Sequence, residues 1–361
     1  MSHEIPCWYM RGGTSKGPFF LARDLPADTA TRDAVILAAM GSPDERQIDG
    51  LGGAKPLTSK TGILSLPDDD GADLDFLFGQ VGIAEGKVDT TPNCGNMLAA
   101  ALPAAIEAGL ITADDGTTTR RVRTVNTGVI AEITIQTPGG RPVYDGDARI
   151  DGVPRPSAPV TCGFLDTEGS LAGSLLPTGN LRDTIDGVEV TLIDNGMPVM
   201  LIAAADLGVS GEERPDELDA NTALKARIEA LRLKAGPLMN LGDVSGKPVP
   251  KITLVSKPRH GGALGTRTFI PHDCHTSIGV LGAVTVATAA VMPGTVAADV
   301  ATPGQGDTRT LSIEHPTGEF SVELGLENGR VVRAALLRTA RLLMRGTVPV
   351  SSSIWPGPHA S

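Results

Sequence analysis

The sequence predicts an α+β protein of two similar β-rich domains, each wrapped around one buried central helix. Its 361 residues suffice for about two domains. Four segments of the first half recur, in the same order, in the second half, and each half holds one long apolar stretch. Hydrophobic residues make up 41% of the chain, and its glycines and prolines follow no three-residue period, which excludes collagen-like and disordered classes.

Composition and charge narrow the class of partner. A formal charge of −11 repels phosphate backbones, and aromatic residues at 3% leave few platforms for stacked bases, so we expect no nucleic acid partner. The N-terminus has no basic segment followed by an apolar one, and the weakly polar run 278–292 is too short to cross a bilayer. We therefore expect a cytoplasmic protein without a membrane partner, whose four cysteines, which lack CxxC spacing, are free thiols.

Two of the repeated segments are predicted strands. Apolar runs on either side of a Gly-containing turn are typical of two paired strands, and a β-rich run closed by proline is typical of a single one. The matching stretches are 10–21 with 193–201, and 60–67 with 251–258.

The third repeated segment predicts the two central helices. The motif Asn-Cys-Gly-Asn at 93–96 opens the apolar run 97–110, and Asp-Cys-His-Thr at 273–276 opens the run 277–292. We expect the cysteine of each motif to lie at a helix N-terminus. Both helices are apolar on nearly every side, so both are expected to be buried.

Proline and glycine positions predict where elements end. Pro103 is expected to kink or shorten the first central helix, and Gly109 and Gly294 are candidate helix ends. The fourth repeated segment is a Thr-Gly turn that leads into a strand. Its two copies are 126–128 before 129–135, and 316–318 before 319–324.

A stretch rich in Pro, Gly and Ser separates the two halves. It covers 153–180, and we place the domain boundary near its end. The predicted domains are 1–184 and 185–361, with the last strand or tail of the chain able to return to the first domain.

Cys94 is a candidate catalytic thiol. A helix N-terminus favours the thiolate form of a cysteine. Buried cysteines often only fill space, but Cys274 recurs at the matching position of the second half. Two helix N-termini that face one cleft would bring both thiols together. Cys7 and Cys162 have no such context and are assigned to packing.

The segment 11–17, Arg-Gly-Gly-Thr-Ser-Lys-Gly, is a candidate carboxylate-binding turn. It lacks the Walker spacing and continues into a strand rather than a helix, so it is not a phosphate loop. A Gly-rich turn with exposed amides, two hydroxyls and cationic ends suits a carboxylate. The alternative is an ordinary hairpin with solvated charges.

Lysine and histidine residues near these motifs are further candidates. Lys60 follows a Thr-Ser pair and opens an apolar strand, so it is a candidate base if it faces a cleft rather than solvent. His272 and His275 flank Cys274, but no second cluster completes a tetrahedral set, and we expect no metal. His315 is assigned to a turn, with lining of the cleft as the alternative.

Together these segments resemble the diaminopimelate-epimerase-like superfamily and, more closely, its branch of 2-methylaconitate isomerases and 4-oxalomesaconate tautomerases. The shared signatures span nearly the whole chain. They are Met-Arg-Gly-Gly-Thr-Ser-Lys-Gly at 10–17, Gly-Ser-Pro-Asp at 41–44, Gln-Ile-Asp-Gly-Leu-Gly-Gly at 47–53, Thr-Ser-Lys at 58–60, Asn-Cys-Gly-Asn at 93–96, Leu-Pro-Thr-Gly-Asn at 176–180 and His-Pro-Thr-Gly at 315–318.

The resemblance implies proton transfer at carbon without a cofactor, in a cleft between two pseudo-symmetric domains. It implies catalytic roles for Lys60 and Cys94, and the parent epimerases, which use one cysteine from each domain, add Cys274. Cys274 and the Pro-Leu pair at 56–57 differ from the methylaconitate isomerases and favour the tautomerases. The candidate substrate-binding residues are Arg11, Gly12, Gly13, Thr14, Ser15, Lys16, Ser59, Asn93, Gly95, Asn96, Asn195, Met197, His272, Thr317 and Gly318.

The favoured reaction is a 1,3-allylic proton transfer that tautomerises 4-oxalomesaconate, a keto-tricarboxylate of aromatic-acid degradation. The alternatives are cis–trans isomerisation of 2-methylaconitate in the methylcitrate cycle, a two-thiol racemase, and a non-enzymatic accessory of an aconitase-like dehydratase. The choice of base and acid, the direction of the reaction and homodimer formation stay open at this point.

Overall fold

The computed structural model describes residues 2–164 and 167–357. The chain forms two compact units: the first comprises residues up to Gly163 together with those from Leu337 onward, and the second runs from Phe164 to Leu336. The boundary therefore precedes the expected one after residue 184. The reason is that the buried carboxylate of Asp194 accepts hydrogen bonds from backbone N–H groups at 171 and 172, which ties this stretch to the second unit.

The first unit is a sheet whose two edges are joined by the last strand of the chain. Its order is β1-β2-β3-β4-β6-β7-β8, with β5 on β4, and β16 pairs with both β8 and β1. The strands are β1 Ser2–Gly12, β2 Ser15–Leu21, β3 Lys60–Ser65, β4 Leu74–Val81, β5 Val88–Asp89, β6 Gly116–Thr124, β7 Ile130–Thr137, β8 Pro159–Phe164 and the second part of β16 Arg330–Ser351.

The second unit is likewise built on strands of one sheet. Its order is β9-β10-β11-β12-β13-β14-β15, followed by the first part of β16. The strands are β9 Asp183–Ile185, β10 Val188–Asp194, β11 Pro198–Ala203, β12 Lys251–Ser256, β13 Leu264–Phe269, β14 Thr308–His315 and β15 Gly318–Glu327.

The strand pairings follow the same pattern in both units, which confirms the repeat expected from the sequence. In the first unit, β1–β2, β3–β4 and β6–β7 are antiparallel, while β2–β3 and β4–β6 are parallel. In the second unit, β10–β11, β12–β13 and β14–β15 are antiparallel, while β11–β12 and β13–β14 are parallel. Three of the four pairs of matched segments lie on equivalent strands and turns. In the third pair the apolar run forms a helix in both units, but 93–96 leads directly into its helix, whereas 273–276 lies in a loop before the other one.

Each unit has a buried helical segment among its strands, so the predicted α+β class is confirmed. α2 and α3 contact β1, β3 and several other strands of the first unit, and α6 contacts β10, β11, β14 and β15 of the second. None of the helices in the described ranges is long and apolar enough to span a membrane. The helices are α1 Thr29–Met40, α2 Gly95–Leu98, α3 Ala101–Glu107, α4 Pro215–Ala220, α5 Thr222–Leu238 and α6 Val280–Ala290.

The first central helix is shorter than the sequence predicts because it is interrupted between α2 and α3. Ala99 and Ala100 form a turn between the two helices. Pro103 lies four residues after Ala99, so it cannot donate to the Ala99 carbonyl and its ring crowds that group. The expected effect of Pro103 is therefore seen one turn before the proline itself.

The prediction that the second central helix begins at Cys274 is wrong. α6 begins at Val280, with Gly279 as its extended N-cap. Cys274 instead forms an isolated bridge with Phe269, and its backbone N–H donates to the Asp219 carboxylate at 2.7 Å. The residues between Cys274 and α6 thus form a loop, because tertiary partners take the backbone groups that a helix would have used.

Candidate active site

The turn between β1 and β2 packs directly on the first residues of α2. A Cβ atom on Gly12 would lie 2.2 Å from the backbone oxygen of Asn96, and one on Gly13 would lie 2.1 Å from its side-chain oxygen. The Asn96 side chain donates to the Thr14 hydroxyl at 3.0 Å. The structure therefore brings together two motifs that lie some eighty residues apart in the sequence, and only glycine fits where they touch.

The backbone amide of Gly13 is used within the protein, which differs from its expected role toward a carboxylate. Gly13 N–H donates to the Thr339 carbonyl at 2.8 Å, and Gly12 pairs with Ala340 of β16. Arg11 also serves the turn, since its guanidinium donates to the Gly13 and Thr339 carbonyls. Burial, with a smaller effect of the Arg341 charge, lowers the pKa of Arg11.

The next two residues of the turn differ in their surroundings. The Ser15 hydroxyl is buried, at 1% exposure, and has no hydrogen-bond partner among the described residues. The Lys16 ammonium lies 5.8 Å from the centre of the Tyr9 ring. Ser15 is the group of this turn whose hydrogen-bonding capacity the described protein leaves unused.

Lys60 is the first residue of β3 and is buried, with 8% of it exposed. Its amine donates to the Gln80 side-chain oxygen at 2.6 Å and lies 4.9 Å from the centre of the Phe78 ring. Its backbone lies against β2, because a Cβ atom on Gly17 would be 1.8 Å from the Lys60 carbonyl oxygen. The alternative of a solvated surface lysine is thereby excluded.

Ser59 was expected to bind a carboxylate, but it is fully buried and serves packing. Its hydroxyl donates to the Gln47 side-chain oxygen at 2.7 Å. The same oxygen accepts from Ala54 N–H, and the Gln47 amide nitrogen donates to Ser42. The Gln47 side chain thus links three parts of the segment that precedes β3 by hydrogen bonds, a role that the sequence did not predict.

Cys94 lies at the N-cap of α2 and is half-buried. The Leu98 N–H donates to its carbonyl oxygen at 2.9 Å. α2 has only four residues, so Cys94 does not cap the long helix that the sequence predicts. The neighbouring Asn93 is exposed and donates to the Thr127 hydroxyl. α2 contacts β1, β2, β3 and β4, so Cys94 and Lys60 belong to elements that pack together.

In the second unit, the turn between β10 and β11 packs on the middle of α6. The Asn195 side chain donates to the Thr288 hydroxyl at 2.8 Å, and the Thr285 hydroxyl donates to the carbonyls of Asn195 and Met197. A Cβ atom on Gly196 would lie 3.0 Å from a methyl carbon of Leu281. Asn195 and Met197 therefore hold this turn to the helix, as Gly12 and Asn96 do in the first unit.

Cys274 is buried in a hydrophobic cluster that includes Leu218 of α4 and Leu224 of α5. Burial, with a contribution from the Asp219 carboxylate and against the effect of Arg267, raises the pKa of Cys274 to about 11. Its thiol is therefore protonated at neutral pH. This environment is typical of a packing cysteine and not of an activated nucleophile.

The loop between Cys274 and α6 meets the turn between β14 and β15. The Thr317 hydroxyl donates to the Thr276 carbonyl at 2.8 Å, and the Ser277 hydroxyl lies 3.2 Å from His315 Nε2. Gly318, the first residue of β15, follows directly. His275 accepts a hydrogen bond from the Ser277 N–H, and burial together with Lys251 lowers its pKa. Ser277 was not singled out in the sequence, whereas His315 was assigned to a turn and lies at the end of β14, where this turn begins.

His272 does not take part in the contact between the loop after Cys274 and the β14–β15 turn. Its side chain is 58% exposed, and its ring nitrogen lies 3.6 Å from the Glu229 carboxylate on α5.

The sequence did not predict two side chains that hydrogen-bond around Lys60 and Phe78. The cluster that contains Lys60, Cys94 and the β1–β2 turn is called the first-unit site below. Gln80 on β4 accepts from the Lys60 amine. Asn126 accepts from the Phe78 N–H and donates to the carbonyls of Phe78 and Thr90. Asn126 lies in the fourth repeated segment, which was a usable signal. Gln80 had none, because its position opposite Lys60 depends on the register of β3 and β4.

The chain is similar over nearly its whole length to several isomerases. The chain is 54% identical over 356 residues to a 4-oxalomesaconate tautomerase of Pseudomonas putida, with 99% of each chain covered. It is 57% identical to a (4E)-oxalomesaconate Delta-isomerase of Novosphingobium sp., with 96% of this chain and 97% of that protein covered. A 2-methyl-aconitate isomerase of Shewanella oneidensis is 36% identical, with 96% and 97% covered.

The crystal structure of a methylitaconate-delta-isomerase has the same fold. The TM-score is 0.88 at 36% identity, and the match covers 100% of this chain and 99% of that one. The family model described as PrpF protein matches residues 2–351. The chain therefore belongs to the PrpF family.

Proposed function

We propose that this chain interconverts the tautomers of 4-oxalomesaconate by moving a proton between two carbon atoms of the substrate. The chain is an isomerase, and the two relatives named for oxalomesaconate are 54% and 57% identical to it, against 36% for the 2-methyl-aconitate isomerase. The observation in the chain itself that carries the proposal is the buried amine of Lys60, on a strand that packs against the helix of Cys94.

The reaction needs one proton removed and one returned. A C–H bond near the ketone breaks, and its electron pair spreads over the conjugated ketone and carboxylate as a dienolate. A new C–H bond then forms two carbons away. Atoms and electrons balance within the substrate, and a side-chain base is strong enough because such protons are acidic.

Lys60 and Cys94 are the proposed acid–base pair. The Lys60 amine lies beside the Phe78 ring and donates to the neutral amide oxygen of Gln80. A lysine amine that reaches the substrate can exchange a proton with a carbon acid. Cys274 has no part in this proposal, because its thiol is packed among hydrophobic side chains and has a pKa of about 11.

The substrate carboxylates are proposed to bind to polar groups of the β1–β2 turn and of the first residues of α2. The buried Ser15 hydroxyl is without a described partner, and the N–H groups of Gly95 and Asn96 have no acceptor within α2. The Lys16 ammonium, one residue from Ser15, supplies positive charge. A trianion needs such a local positive field, and the net charge of −11 does not exclude one.

Assays of two variants test the proposal. We expect Lys60→Ala and Cys94→Ser each to lower turnover of 4-oxalomesaconate by about 10²–10⁴-fold, the size of a general acid–base contribution, with an unchanged melting temperature. Proton NMR in deuterated water follows both turnover and exchange of substrate protons. Lys87→Ala is the matched control, because Lys87 is exposed in the same unit.

Different results would contradict different parts of the proposal. Near-normal turnover in either variant would remove that residue from the mechanism. Complete transfer of the substrate's own proton, without deuterium, would indicate a single shielded base. Turnover of 2-methylaconitate and none of 4-oxalomesaconate would overturn the substrate. Binding to an aconitase-like dehydratase without activity on either acid would support the accessory role.

A further inference from the structure

Lys60 and Gln80 form a directly opposed pair in the sheet. They are Cα partners in the antiparallel pairing of β3 and β4, so their side chains leave the same face of the sheet. Phe78, two residues before Gln80, lies on that face too, and its ring centre is 4.9 Å from the Lys60 amine. Strand register, which side-chain flexibility cannot alter, therefore sets the position of Gln80 relative to Lys60.

The orientation of the Gln80 amide is fixed by its other contacts. Its nitrogen donates to the Ser59 carbonyl at 2.9 Å and to the Pro56 carbonyl at 3.1 Å. A carbonyl only accepts hydrogen bonds, so the nitrogen must face these two groups and the oxygen must face Lys60. That oxygen accepts from the amine at 2.6 Å.

A neutral acceptor suits a lysine that must gain and lose a proton. An amide oxygen aims the amine, whereas a carboxylate at the same place would hold the ammonium form by its charge. We propose that Gln80 is the positioning residue for Lys60, which it aims through its amide oxygen while it anchors the segment before β3 through its amide nitrogen. This inference rests on the proposed acid–base role of Lys60.

Other charged groups near β3 are accounted for. The elements that contact β3 include β2, β4, α2, α3 and the short helical turn after β2. Asp75 of β4 is paired with Arg123, and Glu107 of α3 accepts from Tyr144. The titratable groups on the remaining elements are Lys16 over Tyr9, Arg23 beside Asp24, and Cys94.

The first experiment measures how the acylation of the Lys60 amine depends on pH, without substrate. The intact protein is acylated with trace acetic anhydride from pH 6 to 11, and mass spectrometry measures modification of the Lys60 peptide. In Gln80→Glu, we expect the midpoint of this curve to rise by about one pH unit or more, because a carboxylate within hydrogen-bond distance favours the ammonium. Gln136→Glu, an exposed position on β7, is the matched control and should leave the curve unchanged.

The second experiment measures, through kcat and KM, whether Gln80 positions the Lys60 amine. In Gln80→Met, which keeps length and removes both hydrogen-bonding groups, we expect kcat to fall about 10- to 100-fold while KM changes less than threefold, as a small displacement of a reacting group does. The pH–rate limb that depends on Lys60 should move upward in Gln80→Glu together with the acylation midpoint. Thermal unfolding shows that each variant is folded.

The outcomes separate this inference from the proposed function. An acylation midpoint that is unchanged in Gln80→Glu overturns the contact itself, whatever the substrate is. A shifted midpoint with normal kcat in Gln80→Met overturns the positioning role. If Lys60→Ala keeps full activity while the midpoint still shifts, the acid–base role of Lys60 fails, and with it the role of Gln80.

Discussion

At the scale of single residues, the four cysteines of this chain differ more in their surroundings than in their spacing. Burial raises the pKa of Cys7 to about 11 and that of Cys162 to about 12, and Cys274 has a pKa of about 11. Cys94 is the half-buried one of the four. Only a thiolate reacts with an alkylating reagent, so the environment of each thiol decides its reactivity.

We predict that iodoacetamide at pH 8 modifies Cys94 first. A thiol with a pKa of about 11 is about one-thousandth thiolate at pH 8, and this fraction rises about tenfold with each pH unit up to the pKa. Labelling of Cys274 should therefore increase steeply between pH 8 and 10 in the folded protein. Peptide mass spectrometry measures each site, and equal labelling of Cys94 and Cys274 at pH 8 would contradict this account.

At the scale of elements, the close contact of a turn with a helix defines the first-unit site. Gly13 has a φ of 53°, a conformation that favours glycine, and its α-carbon hydrogen faces the Asn96 side chain. The β1–β2 turn can thus approach α2 until backbone and side chain touch. An equivalent contact holds the β10–β11 turn on α6.

Gly13 both adopts a positive φ and leaves room for the Asn96 side chain, and substitutions can separate these two effects. Gly116, at the start of β6, has a φ of 85° with no atom within 4 Å of an added Cβ. We predict that Gly116→Ala costs about 1–2 kcal/mol through backbone conformation alone and keeps full activity. Gly13→Ala should cost more and should also lower turnover, because it displaces Asn96. Urea unfolding and kinetic assays check this; equal effects of the two variants would show that the contact with Asn96 is unimportant.

At the scale of the whole molecule, the two ends of the chain pair in the first unit. β1 and β16 run antiparallel, from Ser2 opposite Ser351 to Gly12 opposite Ala340. Val348 and Val350 of β16 are buried in a cluster with Ile5 of β1. The first unit is therefore incomplete until the last strand is present, although most of its residues come first in the chain.

A pair of substitutions in β16 tests this dependence. Val350 is 2% exposed and Leu343, in the same strand, is 46% exposed. We predict that Val350→Asp lowers the free energy of unfolding by about 3 kcal/mol or more, because it buries an unpaired charge, while Leu343→Asp changes it by less than about 0.5 kcal/mol. Hydrogen exchange should show loss of protection in β1 while β10–β12 stay protected. Equal loss in both sheets, or equal effects of the two variants, would contradict the prediction.

Local patterns were sufficient for much of the fold. Three of the four matched pairs of segments lie on equivalent strands and turns, because hydrophobic period and Gly or Pro punctuation act over a few residues. Local patterns also singled out Cys94 and Lys60, and the resemblance to a family, which rests on short motifs, implies their catalytic roles. The amino-acid sequence by itself therefore determined the fold class, the internal duplication and the main candidate catalytic residues.

The tertiary structure decided what distant residues do to one another. Cys274 is not at a helix start because its N–H donates to the Asp219 carboxylate and the residues on either side of it pair with the backbone at 268 and 270. Ser59 is buried against Gln47, and Gln80 faces Lys60 only through strand register. Such partners come from other elements, and the free energy of burial and pairing exceeds local propensity. The role of a polar side chain thus depends on what packs around it, which no window of neighbouring residues contains.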